Sequence, residues 1–567
     1  MRVIIVGGVA GGASCAARLR RLDEKVEILM VERGPYVSYA NCGLPYRIGN
    51  VIEKESSLLV ATEQMFRGLF GIDCRTNCEA VSVDAQNKTV DLRDVKTGHV
   101  TTESYDKLVL SPGAASIHPP LPGIDLPGIF QVRTVPDTRA VMEWLEKGTD
   151  FLAGMSNYTG IQMVKPTTRA VVVGGGFIGL ETAENLIHRG FEVTLIQKPD
   201  HVLGPLDPEI AALVQGHIIK HGIKVVANDG VVGFKQLDGG AIEVQTSEGK
   251  AFPADIVILA IGVRPDTALA KTAGIEIGAR GGILVNEQMQ TSNHDIFAVG
   301  DVVEVKDFVT EEQSLIALAG PANRQGRIAA DVICGRDSRY RGTQGTAIIG
   351  LFGGAAAWTG MSEKTLKRRG DTDYEKIYLF PNSHAGYYPG ARMLGFKVIF
   401  RKSNGKLLGA QMLGEDGPAV DKRISALAAF LQMGATIYDL EEAELCYAPQ
   451  FGSAKDPINF AGMMAGNILR GDMPVSHWDS VDGAFLLDVR NPAELVLESV
   501  EGAVNIPLPQ LRARLDEVPK DREIAVICRS AQRAYYAVRI LLQNGFKASI
   551  LSGGMLARAM KEIAETK

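Results

Sequence analysis

The chain has 567 residues, of which 46% are hydrophobic and 22% charged, and its formal net charge is only −6. This length suggests about four domains of ordinary globular composition. The small net charge, without any block of Lys or Arg, argues against nucleic acid as the main partner. Seven sparse cysteines, an odd number, favour reduced thiols. Cys74 and Cys78 form one CxxxC without a second pair, so we expect no metal site.

Two apolar stretches raise the question of export or membrane insertion. Residues 1–8 are too short for a signal peptide and run into a glycine turn, which predicts a first strand. Residues 342–362 carry no charge, but they are rich in Gly, Ala and Thr, which disfavours a spanning helix. We therefore expect a soluble, cytoplasmic protein without a membrane partner.

The first predicted unit is a strand at residues 3–6, a glycine turn at 7–12, a helix to about Arg21 and a second strand that ends at Glu32. Such a turn lets a backbone approach a pyrophosphate at a helix N-terminus, and the acid can accept hydrogen bonds from a ribose. Val9 departs from the pattern at its second glycine position. The predicted cofactor-binding residues are Gly7, Gly11, Gly12 and Glu32.

The second unit repeats this design, with a strand at residues 170–173, a helix to about His188 and a strand at 192–196. Its glycines are complete, and the predicted cofactor-binding residues are Gly174, Gly176, Gly179 and Lys198. Here the second strand ends in Gln197 and Lys198 instead of an acid, which favours NADPH because a lysine can pair with a 2′-phosphate. A solvated lysine is the alternative. Two such units indicate two dinucleotide sites.

Further motifs resemble those of a known family. Residues 110–114 (LSPGA) and 259–265 (LAIGVRP) are similar to its strand-to-turn crossings, and residues 296–301 (IFAVGD) to its second flavin motif. Together these segments resemble the pyridine nucleotide-disulfide oxidoreductases, and within them the coenzyme A-disulfide reductases fused to a rhodanese domain. The resemblance covers essentially the whole chain. It implies FAD and NAD(P)H as cofactors, with Gly113, Gly262 and Asp301 in the cofactor sites, the last at the ribityl chain.

The implied fold class is α/β, with two Rossmann-like dinucleotide-binding domains, an α+β dimerisation domain and a C-terminal α/β rhodanese domain. We expect the FAD-binding domain at residues 1–120 and 291–340, the NAD(P)H-binding domain at 121–290, the dimerisation domain at 341–470 and the rhodanese-like domain at 475–567. Residues 395–400 read as antiparallel sheet. Family members usually dimerise, so a homodimer is expected.

The loop at residues 38–46 (SYANCGLPY) decides the subfamily. Relatives that resemble glutathione reductase place a CxxxxC pair here, but in this chain Arg47 occupies the second position. The single thiol of Cys42 must therefore work through a mixed disulfide, a persulfide or a sulfenic acid. A lowered pKa would raise its thiolate fraction, but the nucleophilicity falls as well, so its position against the flavin should matter as much.

The resemblance also implies a coenzyme A site and a partner-subunit contact. Tyr447 matches a tyrosine that reaches the partner's active site, where a phenol could donate a proton. Arginines suit the phosphates of coenzyme A, although a solvated basic face is the alternative. The residues expected to contact coenzyme A are Ser14, Arg18, Arg21, Ser38, Asn41 and Lys455.

The C-terminal region has its own cysteine motif, in which a strand at residues 524–527 ends at Cys528 and a helix follows. In rhodaneses the backbone of such a loop surrounds the sulfur, and the helix N-terminus favours an anionic thiolate or persulfide. Arg533 matches the arginine that closes the loop. Ala531 stands where glycine is common, and its Cβ could constrain the loop or narrow access.

These motifs predict a flavoprotein that reduces coenzyme A persulfide, polysulfide or coenzyme A disulfide with NAD(P)H through Cys42. Cys528 would relay sulfane sulfur, with coenzyme A as substrate or carrier. One alternative is an NAD(P)H oxidase or peroxidase that uses a cysteine sulfenic acid. A second is a sulfurtransferase in which Cys528 does the main chemistry, and a third is a redox-sensing interaction protein.

Overall fold

The computed structural model describes residues 1–146, 168–238 and 240–565. The chain divides into two compact units, residues 1–198 with 222–343 and residues 199–221 with 344–567. Among the described residues, each unit contains two five-stranded sheets. The first unit has two parallel sheets and the second has one antiparallel and one parallel sheet.

The first parallel sheet contains the strands of the first glycine unit at its centre. Its strands occur in the order Ile296–Ala298, Lys107–Leu110, Arg2–Val6, Glu27–Glu32 and Asp73–Thr76. Residues 3–6 are buried, as expected for a parallel sheet that is covered on both faces. The helices of this part are Ala10–Leu22, Leu44–Ile48, Glu63–Phe70, Ala268–Thr272 and Ala319–Ile333.

The second parallel sheet repeats the arrangement around the second glycine unit. Its strand order is Lys224–Val226, Glu192–Ile196, Arg169–Val173, Ile256–Leu259 and Ile129–Gln131. Helix Phe177–His188 follows the central strand. Smaller sheets complete the unit, with strands Cys78–Asp84, Thr89–Asp94 and Val100–Ser104; Val231–Gln236, Ile242–Thr246 and Ala251–Ala254; Ala114–Ser116 and Val263–Pro265; and Ile283–Leu284, Val303–Lys306 and Gln313–Ser314.

The second unit contains an antiparallel sheet. Its strand order is Ala347–Leu351, Gly354–Gly360, Leu407–Gly414, Leu394–Arg401 and Tyr374–Leu379. The antiparallel strand predicted at residues 395–400 is thus confirmed. The uncharged stretch at 342–362 forms two of these strands. Within the described residues, no helix has the length and apolar character needed to cross a membrane. The accompanying helices are Pro208–Lys220, Glu363–Arg368, Gly417–Gln432, Ile437–Glu442 and Pro457–Leu469.

The C-terminal part of the second unit has a parallel sheet with the strand order Val475–Ser476, Ala548–Leu551, Ile524–Ile527, Phe485–Asp488 and Val504–Asn505. Its helices are Pro492–Leu497, Gln532–Gln543 and Gly554–Glu565. Helix Gly554–Glu565 packs against helix Pro208–Lys220, which comes from a much earlier segment of the chain.

Candidate active site

The first glycine turn is shaped by its own backbone. Gly7 has φ +94°, and a Cβ on Gly12 would lie 1.8 Å from the carbonyl oxygen of Gly7, so neither position accepts a side chain. Val9 has a negative φ of −99° and tolerates one. No side chain caps helix Ala10–Leu22 at its start, which leaves the first-turn N–H groups for an anion. This donor set fits a dinucleotide pyrophosphate.

Glu32 fixes the same turn from the end of its strand. Its carboxylate accepts hydrogen bonds from the backbone N–H groups of Gly8 at 3.0 Å and Gly34 at 2.9 Å. The structure therefore places the acid beside the turn, where the sequence pattern predicts the ribose. Gly11, also predicted to bind the cofactor, is buried against Val299, since a Cβ there would lie 2.9 Å from a methyl group of that residue.

The second glycine turn repeats this geometry. Gly174 has φ +109°, and a Cβ on Gly179 would lie 1.9 Å from the Gly174 carbonyl oxygen. By contrast, a Cβ on Gly176 would meet no described atom within 4 Å. The packing of the chain itself does not require a glycine there, but the close approach of a pyrophosphate would. The geometry of this turn fits a second dinucleotide.

Gln197 performs in the second turn the structural task that Glu32 performs in the first. Its side-chain carbonyl accepts a hydrogen bond from the backbone N–H of Gly175 at 2.6 Å. Sequence reasoning noted that Gln197 is not acidic, but missed this contact. The next residue, Lys198, is exposed. The side chain of Lys198 is therefore accessible to a 2′-phosphate. The preference of this site for NADPH remains a prediction.

Asp301 has a partner that the sequence did not indicate. Its carboxylate accepts a hydrogen bond from Arg133 at 3.2 Å, and the same guanidinium donates to the carbonyl of Ala114 at 3.0 Å. The remaining predicted turns, at Gly113 and Gly262, have φ values of +75° and +105°, which explains the glycines. Their roles in cofactor binding remain predictions.

Cys42 lies in a short 3₁₀ turn, Asn41–Gly43, immediately before helix Leu44–Ile48, and its side chain is exposed. Ser38 joins this loop to the first glycine turn, because its N–H donates to the Gly8 carbonyl at 2.7 Å. Ser38 has φ +46°, a strained value for a residue with a side chain. Among the described residues, the buried side-chain oxygen of Asn41 has no hydrogen-bond partner, which suits a polar ligand.

The surroundings of Cys42 do not lower its pKa. Although the residue is exposed, neighbouring groups partly desolvate its sulfur, which raises the pKa, and the negative charges of Glu181 and Asp301 raise the pKa further. A backbone hydrogen bond and the charge of Arg133 act in the opposite direction. The chain alone therefore disfavours the thiolate. This supports the expectation that position matters at least as much as activation.

Glu181 is a second functional candidate that the sequence did not reveal. It lies on helix Phe177–His188, and its carboxylate accepts a hydrogen bond from the Tyr46 hydroxyl at 3.3 Å. Burial raises the pKa of Glu181 to about 7, the hydrogen bond from Tyr46 lowers it, and Glu184 raises it. The charge of Glu181 also raises the pKa of Cys42, and a carboxyl group with such a raised pKa near a reactive thiol loop is a common sign of a functional site.

The residues expected to contact coenzyme A on the first helix are partly engaged within the protein. Ser14 donates a hydrogen bond to the side-chain oxygen of Asn323. Arg18 forms an ion pair with Asp331, with N–O distances of 2.8 Å, so it is not simply part of a solvated basic face. Arg21 is exposed. Both Ser14 and Arg18 thus face helix Ala319–Ile333.

In the second unit, the hydroxyl of Tyr447 lies 2.6 Å from that of Tyr387, and both side chains are exposed. Lys455 is also exposed, immediately before the Asp456 that caps helix Pro457–Leu469. The structure therefore leaves the tyrosine pair and Lys455 accessible on this unit. Their predicted contacts with a partner subunit and coenzyme A remain predictions.

Cys528 directly follows strand Ile524–Ile527 and is 1% exposed. Its sulfur accepts a hydrogen bond from the backbone N–H of Ala534 at 3.4 Å, in the first turn of helix Gln532–Gln543. Ala531 has φ +70° and is 2% exposed, so an alanine occupies the left-handed conformation that glycine adopts most easily. The loop therefore holds the sulfur behind a strained, buried residue.

Arg533 is held by an acid that the sequence did not identify. Its guanidinium makes two hydrogen bonds to Glu494, at 2.6 and 2.7 Å, and this pairing lowers the pKa of Glu494 to about 2. Glu494 lies on helix Pro492–Leu497. A bidentate pair of this kind fixes the orientation of the guanidinium beside the Cys528 loop.

The family model for pyridine nucleotide-disulphide oxidoreductases matches residues 1–326, more than half of the chain. The chain belongs to this family. The family's dimerisation domain matches residues 349–456, and a rhodanese-like domain matches residues 476–560. This pyridine nucleotide-disulphide oxidoreductase is therefore a flavin-dependent enzyme that uses FAD and NAD(P)H, and the predicted fold class is confirmed.

Among curated proteins, this oxidoreductase is 33% identical to a coenzyme A disulfide reductase of Staphylococcus epidermidis, over 82% of the chain and 99% of the relative. It is 34% identical to an NADH oxidase of Methanocaldococcus jannaschii, over 81% of the chain and 98% of the relative. Both matches leave just under a fifth of the chain uncovered.

Two solved structures match nearly the whole oxidoreductase. The reduced CoADR-RHD of Bacillus anthracis is 45% identical with a TM-score of 0.92, covering 99% of this chain and 98% of that one. An NAD-dependent persulfide reductase from A. fulgidus is 35% identical with a TM-score of 0.87, covering 98% of this chain and 100% of that one. Both of these matches therefore include the rhodanese-like part of the chain.

Proposed function

We propose that this enzyme uses NAD(P)H to reduce coenzyme A persulfide, polysulfide or coenzyme A disulfide through Cys42. The observation that carries the proposal is the loop at residues 38–46, which presents one exposed thiol. It is tied through Ser38 to the first glycine turn and has Arg47 where a second cysteine would complete an internal disulfide. A single accessible thiol needs a sulfur or an oxygen from outside the loop as its redox partner, and the proposed substrates supply a sulfur.

The chemistry follows from that single thiol. The Cys42 thiolate attacks a coenzyme A persulfide at one of its two sulfurs. Attack at the sulfur bonded to coenzyme A gives a mixed disulfide and releases hydrosulfide, whereas attack at the outer sulfur gives a Cys42 persulfide and releases coenzyme A thiol. FAD, which the first glycine turn and Glu32 would hold, would supply the two-electron chemistry that links NAD(P)H to cleavage of the new S–S bond, and cleavage restores the Cys42 thiolate.

The C-terminal domain supports a substrate that contains sulfane sulfur, such as a persulfide or polysulfide, over a simple disulfide. Cys528 would accept sulfane sulfur as a persulfide, with the backbone N–H of Ala534 stabilising its charge, and transfer it through coenzyme A to Cys42. Arg533, oriented by Glu494, would attract the anionic sulfur donor. The likeness to the persulfide reductase from A. fulgidus, which covers 98% of the chain, supports this relay.

The remaining site assignments are part of the same proposal. Ser14, Arg18, Arg21, Ser38, Asn41 and Lys455 would bind coenzyme A. The unsatisfied oxygen of Asn41 gives the best physical support among them, because a buried acceptor gains a partner when a polar ligand binds. The enzyme would act as a homodimer through residues 341–470, with Tyr447 near the partner's Cys42, and it would work in the cytoplasm.

The test is anaerobic NAD(P)H consumption with coenzyme A persulfide, coenzyme A disulfide and polysulfide as separate substrates. Cys42→Ser should abolish turnover of all three, and Cys528→Ser should reduce mainly polysulfide turnover. Cys446→Ser is the matched control, since Cys446 is also an exposed thiol. If Cys42→Ser leaves persulfide turnover intact, the proposal is wrong.

An NAD(P)H oxidase is the second candidate, favoured by the likeness to the Methanocaldococcus NADH oxidase. In that case Cys42 would cycle through a sulfenic acid. Oxygen consumption with NAD(P)H in the absence of any sulfur compound distinguishes the two. The oxidase candidate expects rapid turnover that Cys42→Ser alters, whereas the persulfide reductase expects oxygen turnover far below persulfide turnover.

A further inference from the structure

The short helix after Cys42 is packed against the helix that starts at the second glycine turn. Helix Leu44–Ile48 contacts helix Phe177–His188, and a Cβ on Gly49 would lie 1.8 Å from the side-chain oxygen of Asn185. Only a glycine allows this approach. The close packing brings Tyr46, four residues after Cys42, to Glu181 on the facing helix.

The charges around Glu181 leave it without a cationic partner. The groups that influence its ionisation are Tyr46 on the facing helix and Glu184 on its own helix. The groups that influence Cys42 are Glu181, Asp301 and Arg133. Among the charged groups that act on the thiol, Glu181 raises its pKa the most, and no lysine, arginine or histidine among the described residues offsets Glu181 at its own position.

We propose that Glu181, held by Tyr46, is the proton-accepting partner of Cys42, so that the two groups together carry one negative charge throughout the catalytic cycle. This inference rests on the proposed function of Cys42. Glu181 acts through its charge on the thiol and is therefore a positioning residue for the proton, whereas Cys42 is the group that contacts the substrate sulfur.

The step balances in atoms, protons and electrons. When Cys42 is in a mixed disulfide it is neutral and Glu181 is ionised. NAD(P)H then supplies two electrons and one proton and becomes NAD(P)⁺. The electrons break the S–S bond, giving the Cys42 thiolate and the departing thiolate of the substrate, and the proton is taken by Glu181. The Cys42–Glu181 pair holds one negative charge before and after the step.

The structure explains why such sharing is needed. Two negative charges within one partly buried site repel each other more strongly than in water, because the surrounding dielectric constant is lower. The pKa of Glu181, at about 7, allows the carboxyl group to gain or lose its proton within the physiological range. An ordinary glutamate, with a pKa of about 4.3, would stay ionised and oppose the thiolate.

The test measures the ionisation of Cys42 directly in the full-length, FAD-loaded protein. The protein is reduced, freed of reductant without oxygen, and treated with iodoacetamide between pH 5.5 and pH 9.5, and the alkylated Cys42 peptide is quantified by mass spectrometry. Cys446, an exposed thiol, is followed in the same samples as an internal reference. The variants are Glu181→Gln, Tyr46→Phe and the control Glu192→Gln, which removes an exposed carboxylate from the adjoining strand.

We expect the wild-type profile of Cys42 to have two inflections, one of them near pH 7 from Glu181. Glu181→Gln should remove that inflection and lower the pKa of Cys42. A pKa lower by one unit gives about tenfold more thiolate, offset about threefold by weaker nucleophilicity, so alkylation at pH 7.5 should rise about threefold. Tyr46→Phe should move the inflection near pH 7 upwards, since the lost hydrogen bond favours the protonated acid.

A Glu181→Gln profile that coincides with those of wild type and Glu192→Gln would overturn the inference. This outcome is separable from failure of the proposed function. Loss of the inflection in Glu181→Gln, together with persulfide turnover that survives Cys42→Ser, would keep the Glu181 inference about the thiol and reject the function. Full FAD content in every variant verifies that the fold is intact.

Discussion

A buried lysine in the second unit gives a prediction whose size can be worked from its contacts. Lys397 is 0% exposed, and its ammonium group lies 2.9 Å from Asp207, 2.5 Å from Glu209 and 2.7 Å from Glu363. Glu363 also pairs with Lys367, which is largely exposed. Lys376, which is also buried, is a third lysine partner of Glu363. Lys397 and Lys367, one fully buried and one solvated, form a matched pair for mutation.

Lys397→Met should destabilise the unit by about 3–5 kcal/mol, because removing one partner of a buried ion cluster leaves uncompensated buried charge. Lys367→Met should cost at most about 1 kcal/mol, the usual range for an exposed pair. For a unit of more than 200 residues, about 2–4 °C per kcal/mol converts the first figure into about 6–20 °C. Thermal unfolding followed by tryptophan fluorescence measures both.

The pH dependence of this difference has a definite sign. In the wild type, Lys397 holds the pKa values of Asp207 and Glu363 below their ordinary range, so the carboxylates stabilise the fold above their unfolded pKa and cease to do so as the pH falls. Without Lys397, burial raises those pKa values, and protonation relieves the repulsion at acidic pH. The gap between wild type and Lys397→Met should therefore narrow from pH 7 to pH 5. Equal losses for Lys397→Met and Lys367→Met at pH 7 would refute the reasoning.

Three further predictions concern the sites. Ala531→Gly removes left-handed strain of about 1–2 kcal/mol, but it loses a buried methyl worth about 0.8 kcal/mol and adds unfolded-state entropy of about 0.4–1 kcal/mol. The free energy of unfolding should therefore stay within about 1 kcal/mol of the wild-type value, while alkylation of Cys528 becomes faster. An unchanged alkylation rate would show that Ala531 does not restrict access to the sulfur. Because the pKa of Glu494 is lowered to about 2, Glu494→Gln should reduce the free energy of unfolding by its full amount at pH 7 and by less below about pH 4.3. Denaturant unfolding at pH 7 and pH 3 measures this reduction, and an equal reduction at both pH values would contradict the prediction. Lys198→Glu should raise the KM for NADPH about tenfold or more and leave the KM for NADH nearly unchanged, as measured by steady-state kinetics. Equal effects on both KM values would mean that Lys198 does not contact a 2′-phosphate.

The parts of the fold that depend on local pattern were predictable. Glycine turns between buried strands and helices predict the elements to within one or two residues. The first helix, for example, is predicted to end at about Arg21 and ends at Leu22 in the structure. The strand and helix around Cys528 were likewise predicted from neighbouring residues. In each case the signal and the structure lie within one short segment.

The contacts that tune the site were not predictable in this way. Tyr46 and Glu181 are 135 residues apart in sequence, and Arg133 and Asp301 are 168 apart. Which charged residue meets which depends on how helices pack, and one sequence has many lysines, arginines and acids that could pair. Gly49, whose need for close approach to Asn185 appears only in three dimensions, had no recognisable pattern around it.

The early origin of helix Pro208–Lys220 has a consequence for how the protein is made. This helix belongs to the second unit, yet the rest of that unit is encoded after residue 343. At about 5–20 residues per second, the ribosome needs about 20–70 s to add residues 221–567. For about the first half of that time, until residue 397 is added, Asp207 and Glu209 lack Lys397. For all of it, the face of the helix that will contact Gly554–Glu565 has no cover. The second unit can close only when the last helix has emerged, so a chain truncated during synthesis cannot complete it.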